Sequence, residues 1–329
     1  IRQWIEEGRE TPVAGTRGKI IPFDISQQYI SFLKSWKEDI SDLKISIDIS
    51  NGMAALFAKK IFGKEPVYIF DELDGTFPNH DPNPLVPENL IELQKSVITQ
   101  RNDVGVIFDG DADRVMFVDE RGKFISPDLM IALLGHYFLE DERYAGAKKI
   151  VLQDIRSSKS VAEYLKLMGA EVVTWKVGRA FAAHKLREID GLFGGELAGH
   201  YYFKDFFYSD SGIMAAILAL NVIARFKRKG VSLSQLIERI NGYFSSGEIN
   251  FPISKKEDAM IAVRELFKSQ ERPVASYDFD GYRVEFSQWW FNIRPSNTEP
   301  YLRFICEATS MELLEEKVAQ AREVIKNFI

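Results

Sequence analysis

The chain has 329 residues, 46% of them hydrophobic and 27% charged, with a net charge of −6, which is the composition of a globular protein of two or three domains. No long basic stretch occurs, so nucleic acid is excluded as an expected partner. The single cysteine, Cys306, rules out an internal disulfide and fits a reducing cytoplasm. The longest apolar run, 212–226, carries Asn221 and Arg225 and falls short of the ~20 residues that span a bilayer, so no membrane association is expected.

In chain order, strand-like and helix-like segments alternate, the pattern of α/β layers. Residues 1–7 read as the end of a helix stopped by Gly8, with a Gly/Thr/Pro-rich link through Pro22. The first residue is Ile1 rather than Met, so a preceding segment is expected. Residues 44–49 alternate as a strand, and Ser50-Asn51-Gly52 turns it into a helix over about 53–62. A strand at 67–70 leads to a loop with Pro78, Pro82, Pro84 and Pro87, and Pro87 opens a helix to about Gln100. Apolar runs at 104–108 and 115–118 flank an aspartate-rich turn, and a helix over about 129–139 closes this unit.

A second unit starts with a strand at 150–152, the turn 154–159 and a helix through Met168. A strand at 171–175 and a helix near 181–187 then lead to a glycine-rich turn and the apolar helix beginning at Gly212. The polar stretch 244–248 ends the unit. The last unit has strands at 282–286, 290–293 and 301–308. Its closing helix has a capping box at Thr309-Ser-Met-Glu312 and an apolar face of Leu314, Val318, Ala321 and Ile325. No close internal sequence repeat is present.

Three turns carry chemistry. Asp109-Gly-Asp-Ala-Asp-Arg114 places Asp109, Asp111 and Asp113 between two apolar strands. Like charges about 4 Å apart repel by about 4 kcal/mol near a protein surface, and a hard divalent cation such as Mg²⁺ is the simplest remedy. An EF-hand loop is excluded, because its sixth position, Arg114, should be Gly and its flanks should be helices. A phosphatase using Asp109 as nucleophile and Asp111 as acid/base stays open. In Gly194-Gly-Glu-Leu-Ala-Gly-His200, glycines let the backbone approach a ligand, and Glu196 and His200 offer an acceptor and a switchable donor. An ordinary glycine-rich turn accounts for this segment equally well. His80, His136 and His184 read as structural. In Arg294-Pro-Ser-Asn-Thr-Glu-Pro300, with Arg303 on the next strand, arginine and hydroxyl donors suit a phosphate that does not react.

Together, Asp-Gly-Asp-Ala-Asp-Arg (109–114), Gly-Glu-Leu-Ala-Gly-His (195–200) and Arg-Pro-Ser-Asn-Thr-Glu-Pro (294–300) resemble the three signature loops of the α-D-phosphohexomutase superfamily, most closely its phosphomannomutase/phosphoglucomutase branch. The resemblance extends through Ser50-Asn-Gly52, residues 77–84, Phe203-Lys-Asp205, Asp210-Ser-Gly212 and 246–250. It implies consecutive related α/β domains followed by a smaller α+β domain, around a central cleft. The implied boundaries are 1–15 for a remnant of a first domain and its linker, 16–143 for a metal-binding domain, 144–246 for a sugar-binding domain and 247–329 for a phosphate-binding domain. It further implies Mg²⁺ and a phosphorylated serine that passes its phosphoryl group to a hexose phosphate through a bisphosphate intermediate. Asp109, Asp111 and Asp113 would then be metal ligands and Arg114 would lie beside the transferring phosphate. Glu196 and His200 would contact the sugar, and Arg294, Ser296, Asn297, Thr298 and Arg303 would grip the distal phosphate.

The sequence departs from the family pattern in places. The serine loop, of Thr-Ala-Ser-His-Asn-Pro type, does not occur in these residues, so the expected partner is an N-terminal domain of the same protein and no turnover is expected without it. Ala198 stands where a serine is usual, Arg179 where a histidine is common, and Arg156 where a lysine or arginine is found. Arg156 and Arg179 are candidates for ligand contact or proton transfer, although arginine is a poor general base because its pKa exceeds about 12. Asn297, where the phosphoglucosamine branch usually has Gly, argues against amino-sugar substrates, and mannose or glucose phosphates are the expected ones. A non-catalytic sugar-phosphate binding protein is the alternative from another class.

Overall fold

The computed structural model describes residues 2–9, 15, 18–296 and 300–328. Helix α1 (Arg2–Glu6) stands at the start, ending before Gly8, and α2 (Ser26–Ser35) packs Ile30 and Leu33 into the core. Strand β1 (Ile45–Asp48) is buried at all four positions. The alternation in its sequence is therefore not a half-exposed strand. Ser46 and Asp48 are hidden as fully as the isoleucines because the strand lies inside a sheet covered on both faces. Ser46 Oγ meets Ser96 Oγ at 2.8 Å and accepts from Asn102 Nδ2 at 2.7 Å, so its polarity is satisfied in place.

The helix expected over 53–62 is split into a 3₁₀ turn at Met53–Leu56 and α3 (Ala58–Phe62). Strand β1 pairs in parallel with β2 (Val67–Ile69) and with β3 (Val104–Phe108), which follows α4 (Ile91–Gln100). Strand β3 then turns back into antiparallel β4 (Val115–Asp119) and β5 (Phe124–Ile125). After α5 (Pro127–Phe138) comes a second sheet. It consists of β6 (Ile150–Asp154), α6 (Lys159–Leu167), β7 (Glu171–Trp175), α7 (Arg179–Glu188), β8 (Phe193–Gly195), β9 (Tyr201–Phe203) and β10 (Ser209–Asp210). The strand orders are β2-β1-β3-β4-β5 and β7-β6-β8-β9-β10, with the same parallel and antiparallel pairings at equivalent places. A topological repeat thus exists where no sequence repeat is visible. The aspartate turn between β3 and β4 and the Glu196–His200 turn between β8 and β9 occupy equivalent positions.

Helix α8 (Gly212–Arg228) and α9 (Leu233–Ile240) complete this part. All twelve residues of α5 are buried, as is α8 from Gly212 to Ala224. Both share one continuous core with Ile47, Val106 and Phe117 of the first sheet and Val151, Phe193 and Tyr201 of the second. Each fully buried Leu, Ile or Phe there contributes roughly 1.5–3 kcal/mol. Helix α4 covers the other face of the first sheet, placing Leu93 and Val97 on Ile107, Met116 and Val118. Helix α7 does the same for the second, placing Ala182 and Leu186 on Leu152 and Tyr202.

The C-terminal part is an all-antiparallel sheet of β11 (Phe244–Ser245), β12 (Ile249–Pro252), β13 (Ala275–Tyr277), β14 (Tyr282–Glu285), β15 (Trp289–Pro295) and β16 (Tyr301–Ala308). Helices α10 (Lys256–Gln270) and α11 (Met311–Lys326) pack on it, and Val263, Phe267, Trp289, Phe291, Phe304, Leu314 and Ile325 form a separate core. The α11 cap is Ser310, whose Oγ accepts from Leu313 N at 3.2 Å, rather than Thr309. Thr309 follows the last residue of β16 directly, its N still donating to Gln288 O at 2.9 Å, and the helix is capped one residue later. Among the described residues no helix is long and apolar enough to cross a membrane.

Candidate functional site

The aspartate turn is held from below by the loop after β1. Met53 N donates to Gly110 O at 2.9 Å, and Ser50 Oγ donates to Phe108 O at 2.6 Å. Gly52 permits this approach, since a Cβ there would come within 2.6 Å of Gly110 O. Asp109, Asp111 and Asp113 each present a carboxylate oxygen within 4.8 Å of the others. Arg114 turns back to Asp109, its Nε reaching Oδ2 at 2.7 Å and its backbone N reaching Oδ1 at 3.2 Å. Burial pushes Asp113 up to about 6; His200 pulls it down, but the charges of Asp109, Asp111 and Asp210 oppose that pull. A hard cation would relieve this crowding, and an all-oxygen donor set fits Mg²⁺.

The equivalent turn of the second sheet meets this one directly. Val115 N donates to Gly199 O at 3.2 Å, and Arg114 pairs with His200 as an antiparallel bridge. His200 Nδ1 lies 2.9 Å from Asp210 Oδ2 and 3.8 Å from Asp113 Oδ1. Burial alone would lower the His200 pKa, but the hydrogen bond to Asp210 and the charges of Asp113 and Glu196 raise it. With Nδ1 directed at Asp210, the imidazolium has Nε2 to offer as a donor. Arg179, the first residue of α7, binds Asp210 Oδ1 at 2.8 Å and lies 3.9 Å from Asp113 Oδ2. Asp113, His200 and Asp210 are also close enough to hold a metal. Arg179 and a charged His200 already balance this group electrically, which makes the Asp109–Asp113 set the better cation site.

Glu196 is buried and accepts from Tyr202 OH at 2.7 Å. Burial, and then the charge of Asp154, raise its pKa. Arg156 lies 3.8 Å from Glu196 and is fixed by Asp154, which accepts from its backbone N at 2.6 Å and from Nη2 at 2.7 Å. Asp154 also accepts from Leu197 N at 2.9 Å, so one carboxylate fastens both turns of the second sheet.

In the C-terminal sheet, Arg294 and Arg303 stand directly opposite each other across β15 and β16. Like charges so placed are destabilising unless something anionic lies between or beside them. Arg303 has Glu248 at 3.1 Å, whereas Arg294 has Asp280 only at 3.9 Å, and its buried Nε lacks a hydrogen-bond partner among the described residues. Burial, and then the charge of Arg156, lower the Arg294 pKa, so a guanidinium from the second sheet adds to the uncompensated positive charge at Arg294. Phosphate is a fitting counter-ion. Ser296 is buried, its N donating to Tyr301 O at 2.9 Å. Asn297 and Thr298 lie outside the described residues.

Three family models match in order: phosphoglucomutase/phosphomannomutase alpha/beta/alpha domain II over residues 27–122, domain III over 126–243, and the C-terminal domain over 248–324. A phosphomannomutase of Salmonella montevideo is 32% identical over 340 residues, covering 99% of this chain and 73% of the relative. The chain belongs to the phosphoglucomutase/phosphomannomutase family. A phosphomannomutase of Methanocaldococcus jannaschii is 37% identical over 302 residues, covering 91% of the chain. The crystal structure of a phosphoglucomutase/phosphomannomutase family protein from Burkholderia thailandensis superposes with a TM-score of 0.78 at 27% identity over 93% of the chain. The chain spans 63% of the archaeal relative and 65% of the Burkholderia chain.

Within this phosphoglucomutase/phosphomannomutase fold, Tyr202 and Asp280 drew no notice in the sequence, and Asp154, Asp210 and Glu248, although they lie in turns or segments noted there, were given no role. Asp154 carried a readable signal. It ends a strand as Asp48 does, and both Oδ1 atoms accept from the backbone N two residues on, Ser50 at 2.8 Å and Arg156 at 2.6 Å. Asp210 adjoins Ser211, whose side chain caps α8 through Met214 N at 3.1 Å, but only the tertiary fold brings it to His200.

Proposed function

We propose that this chain is part of a cytoplasmic Mg²⁺-dependent phosphohexomutase that interconverts the 1- and 6-phosphates of mannose or glucose through a phosphoserine and a bisphosphate intermediate. The observation that carries this reading is a polar track. It runs from Asp113 to His200 at 3.8 Å, along one turn to Glu196 and from Glu196 to Arg156 at 3.8 Å, and the charge of Arg156 is felt in turn by Arg294. A hexose with a phosphate at each end requires that order: cation, hydroxyl-binding groups, anion site.

Bound at Asp109, Asp111 and Asp113, Mg²⁺ would neutralise charge on the transferring phosphoryl group. Arg114 stands beside those aspartates to bind the same phosphoryl group. Arg294, Arg303, Ser296, Asn297 and Thr298 hold the phosphate that does not react, and Arg156 adds charge from the neighbouring loop. Glu196 accepts from sugar hydroxyls, His200 donates through Nε2, and Arg179 closes the same side. Phosphoryl transfer needs mainly this positioning and neutralisation. The aspartyl-phosphatase alternative is disfavoured, because Asp109 is buried and both its oxygens accept from Arg114.

Because no serine loop of the family type occurs in these 329 residues, we propose that this stretch binds substrate but does not turn it over alone. Calorimetry with glucose 1,6-bisphosphate, with and without Mg²⁺, tests binding. Adding a separately made family first domain and following interconversion of the 1- and 6-phosphates tests chemistry. Absence of bisphosphate binding, or robust turnover by the stretch alone, would overturn the reading.

A further inference from the structure

The turn between β13 and β14, together with the start of β14, grips the second sheet at two places. Arg283 is fully buried and donates from Nη1 to Ile155 O at 2.9 Å and to Ser157 O at 2.6 Å, the carbonyls on either side of Arg156. Its Nε is held by Glu285 at 2.7 Å, and the guanidinium lies 3.8 Å from the centre of the Trp290 ring, so the donor is itself immobilised. Three residues earlier, Asp280 Oδ2 accepts from Val177 N at 2.9 Å, in the loop that leads into Arg179. Its Oδ1 faces Arg294 Nη1 at 3.9 Å. Gly281, at φ +68, allows the turn to lie against the next strand, where a Cβ would come 2.7 Å from Arg294 Cα. The loop carrying Arg156, the loop leading to Arg179 and the strand carrying Arg294 all converge on four residues, 280–283.

We propose that Asp280 and Arg283 are positioning residues: tied to both loops of the second sheet and to Arg294, they set the sugar-binding side chains in register with the distal-phosphate arginines. The inference rests on the function proposed above. Neither residue needs to touch the sugar. Their effect is geometric, and displacements of about 1 Å at such distances cost about 10²-fold in rate.

The test uses the full chain with Arg283→Met, Arg283→Lys, Asp280→Ala and Asp280→Asn. Affinity for glucose 1,6-bisphosphate is measured by calorimetry, and backbone amide exchange is measured without sugar. Arg283→Met is expected to weaken bisphosphate binding about 10–100-fold, the range for partners that orient a ligand-binding group, and to speed exchange across 155–158. Arg283→Lys recovers part of the affinity. Asp280→Ala weakens binding similarly and exposes the Val177 amide, while Asp280→Asn, which still accepts from that N–H, keeps it protected. Mg²⁺ affinity stays at the wild-type value throughout. Wild-type affinity and loop exchange in both Arg283→Met and Asp280→Ala would overturn the proposal. Failure of the wild-type chain to bind bisphosphate would instead overturn the functional reading, and the exchange measurement would still decide the positioning role. If Arg283→Met does not fold, the two Asp280 variants, at a partly exposed position, carry the test.

Discussion

Glu307 predicts how the joint between the C-terminal sheet and the rest of the chain responds to pH. It sits on β16, buried, and its Oε2 accepts from Ser158 Oγ at 2.6 Å and from Trp290 Nε1 at 2.9 Å. Burial, then the charge of the buried Asp128, raise its pKa from 4.5 to about 7. A carboxyl whose folded value is raised contributes stability that is fully present below 4.5 and is lost as pH rises through about 7. Carrying the charge at pH 8 therefore costs the fold about 3 kcal/mol, at about 1.4 kcal/mol for each unit between 4.5 and about 7. Glu307→Gln keeps a carbonyl acceptor for both donors and removes the ionisation. The variant should be more stable than wild type at pH 8 by up to about 3 kcal/mol, with most of that gain gone by pH 5. Urea titrations between pH 5 and pH 8, followed by tryptophan fluorescence because Trp290 donates to this carboxyl, measure the difference. A variant less stable than wild type at pH 8, or a gain independent of pH, would refute the assignment of the raised group to Glu307.

Asp109→Asn removes one of three clustered carboxylates and should lower Mg²⁺ affinity by more than the about 10–100-fold typical of outer-shell changes, as read by calorimetry. Gly52→Ala places a Cβ against Gly110 O, so overpacking should destabilise the chain by about 1–3 kcal/mol in urea and weaken Mg²⁺ binding with it. His80 faces acceptors on both ring nitrogens, Asp81 O at 2.8 Å and Asp48 Oδ2 at 3.3 Å. The hydrogen bond to Asp48 raises its pKa above 6.5, so its contribution is fully present below 6.5 and is lost as pH rises past that raised value. His80→Gln should therefore speed amide exchange in the 77–87 loop more at pH 6 than at pH 9.

Two of the three turns stood out in the sequence because each concentrates one chemistry, three carboxylates or an arginine with hydroxyls, between apolar runs, whereas the Glu196–His200 turn gained meaning only beside them. Strands at 104–108, 115–118, 171–175 and 301–308 were readable as largely apolar runs bounded by turn residues, and the second of them runs one residue further, to Asp119. What escaped lies in pairings between elements distant in sequence. Helices α2 and α10 have buried faces of only two and four residues in polar surroundings, Ile30 and Leu33, and Ala259, Met260, Val263 and Phe267. The partners of His200 and Arg294, namely Asp210 and Asp280, are isolated acids whose role depends on where the chain returns. Nothing local distinguishes them from solvated aspartates.

The absence of a sequence repeat beside a repeated topology has a physical reason that bears on the site. Most strand positions in both sheets need only be apolar, so they can differ among Val, Ile, Phe and Leu while pairing directions stay the same, and the polar exceptions such as Ser46 and Gln153 have no common pattern. Two devices persist because backbone geometry requires them: an aspartate closing the turn after β1 or β6, and a tight reversal after β3 or β8. The residue two places after each aspartate is then available for chemistry. In the first sheet it is Ser50, which supports Phe108 beneath the metal-type turn. In the second it is Arg156, which lies 3.8 Å from Glu196. Because the two reversals meet through Val115 and Gly199, equivalent positions of one topology come to face each other with different side chains, Asp109, Asp111 and Asp113 on one and Glu196 and His200 on the other. Under the function proposed above, the cation-binding and hydroxyl-binding groups come from different sheets, so neither sheet alone would hold the sugar phosphate.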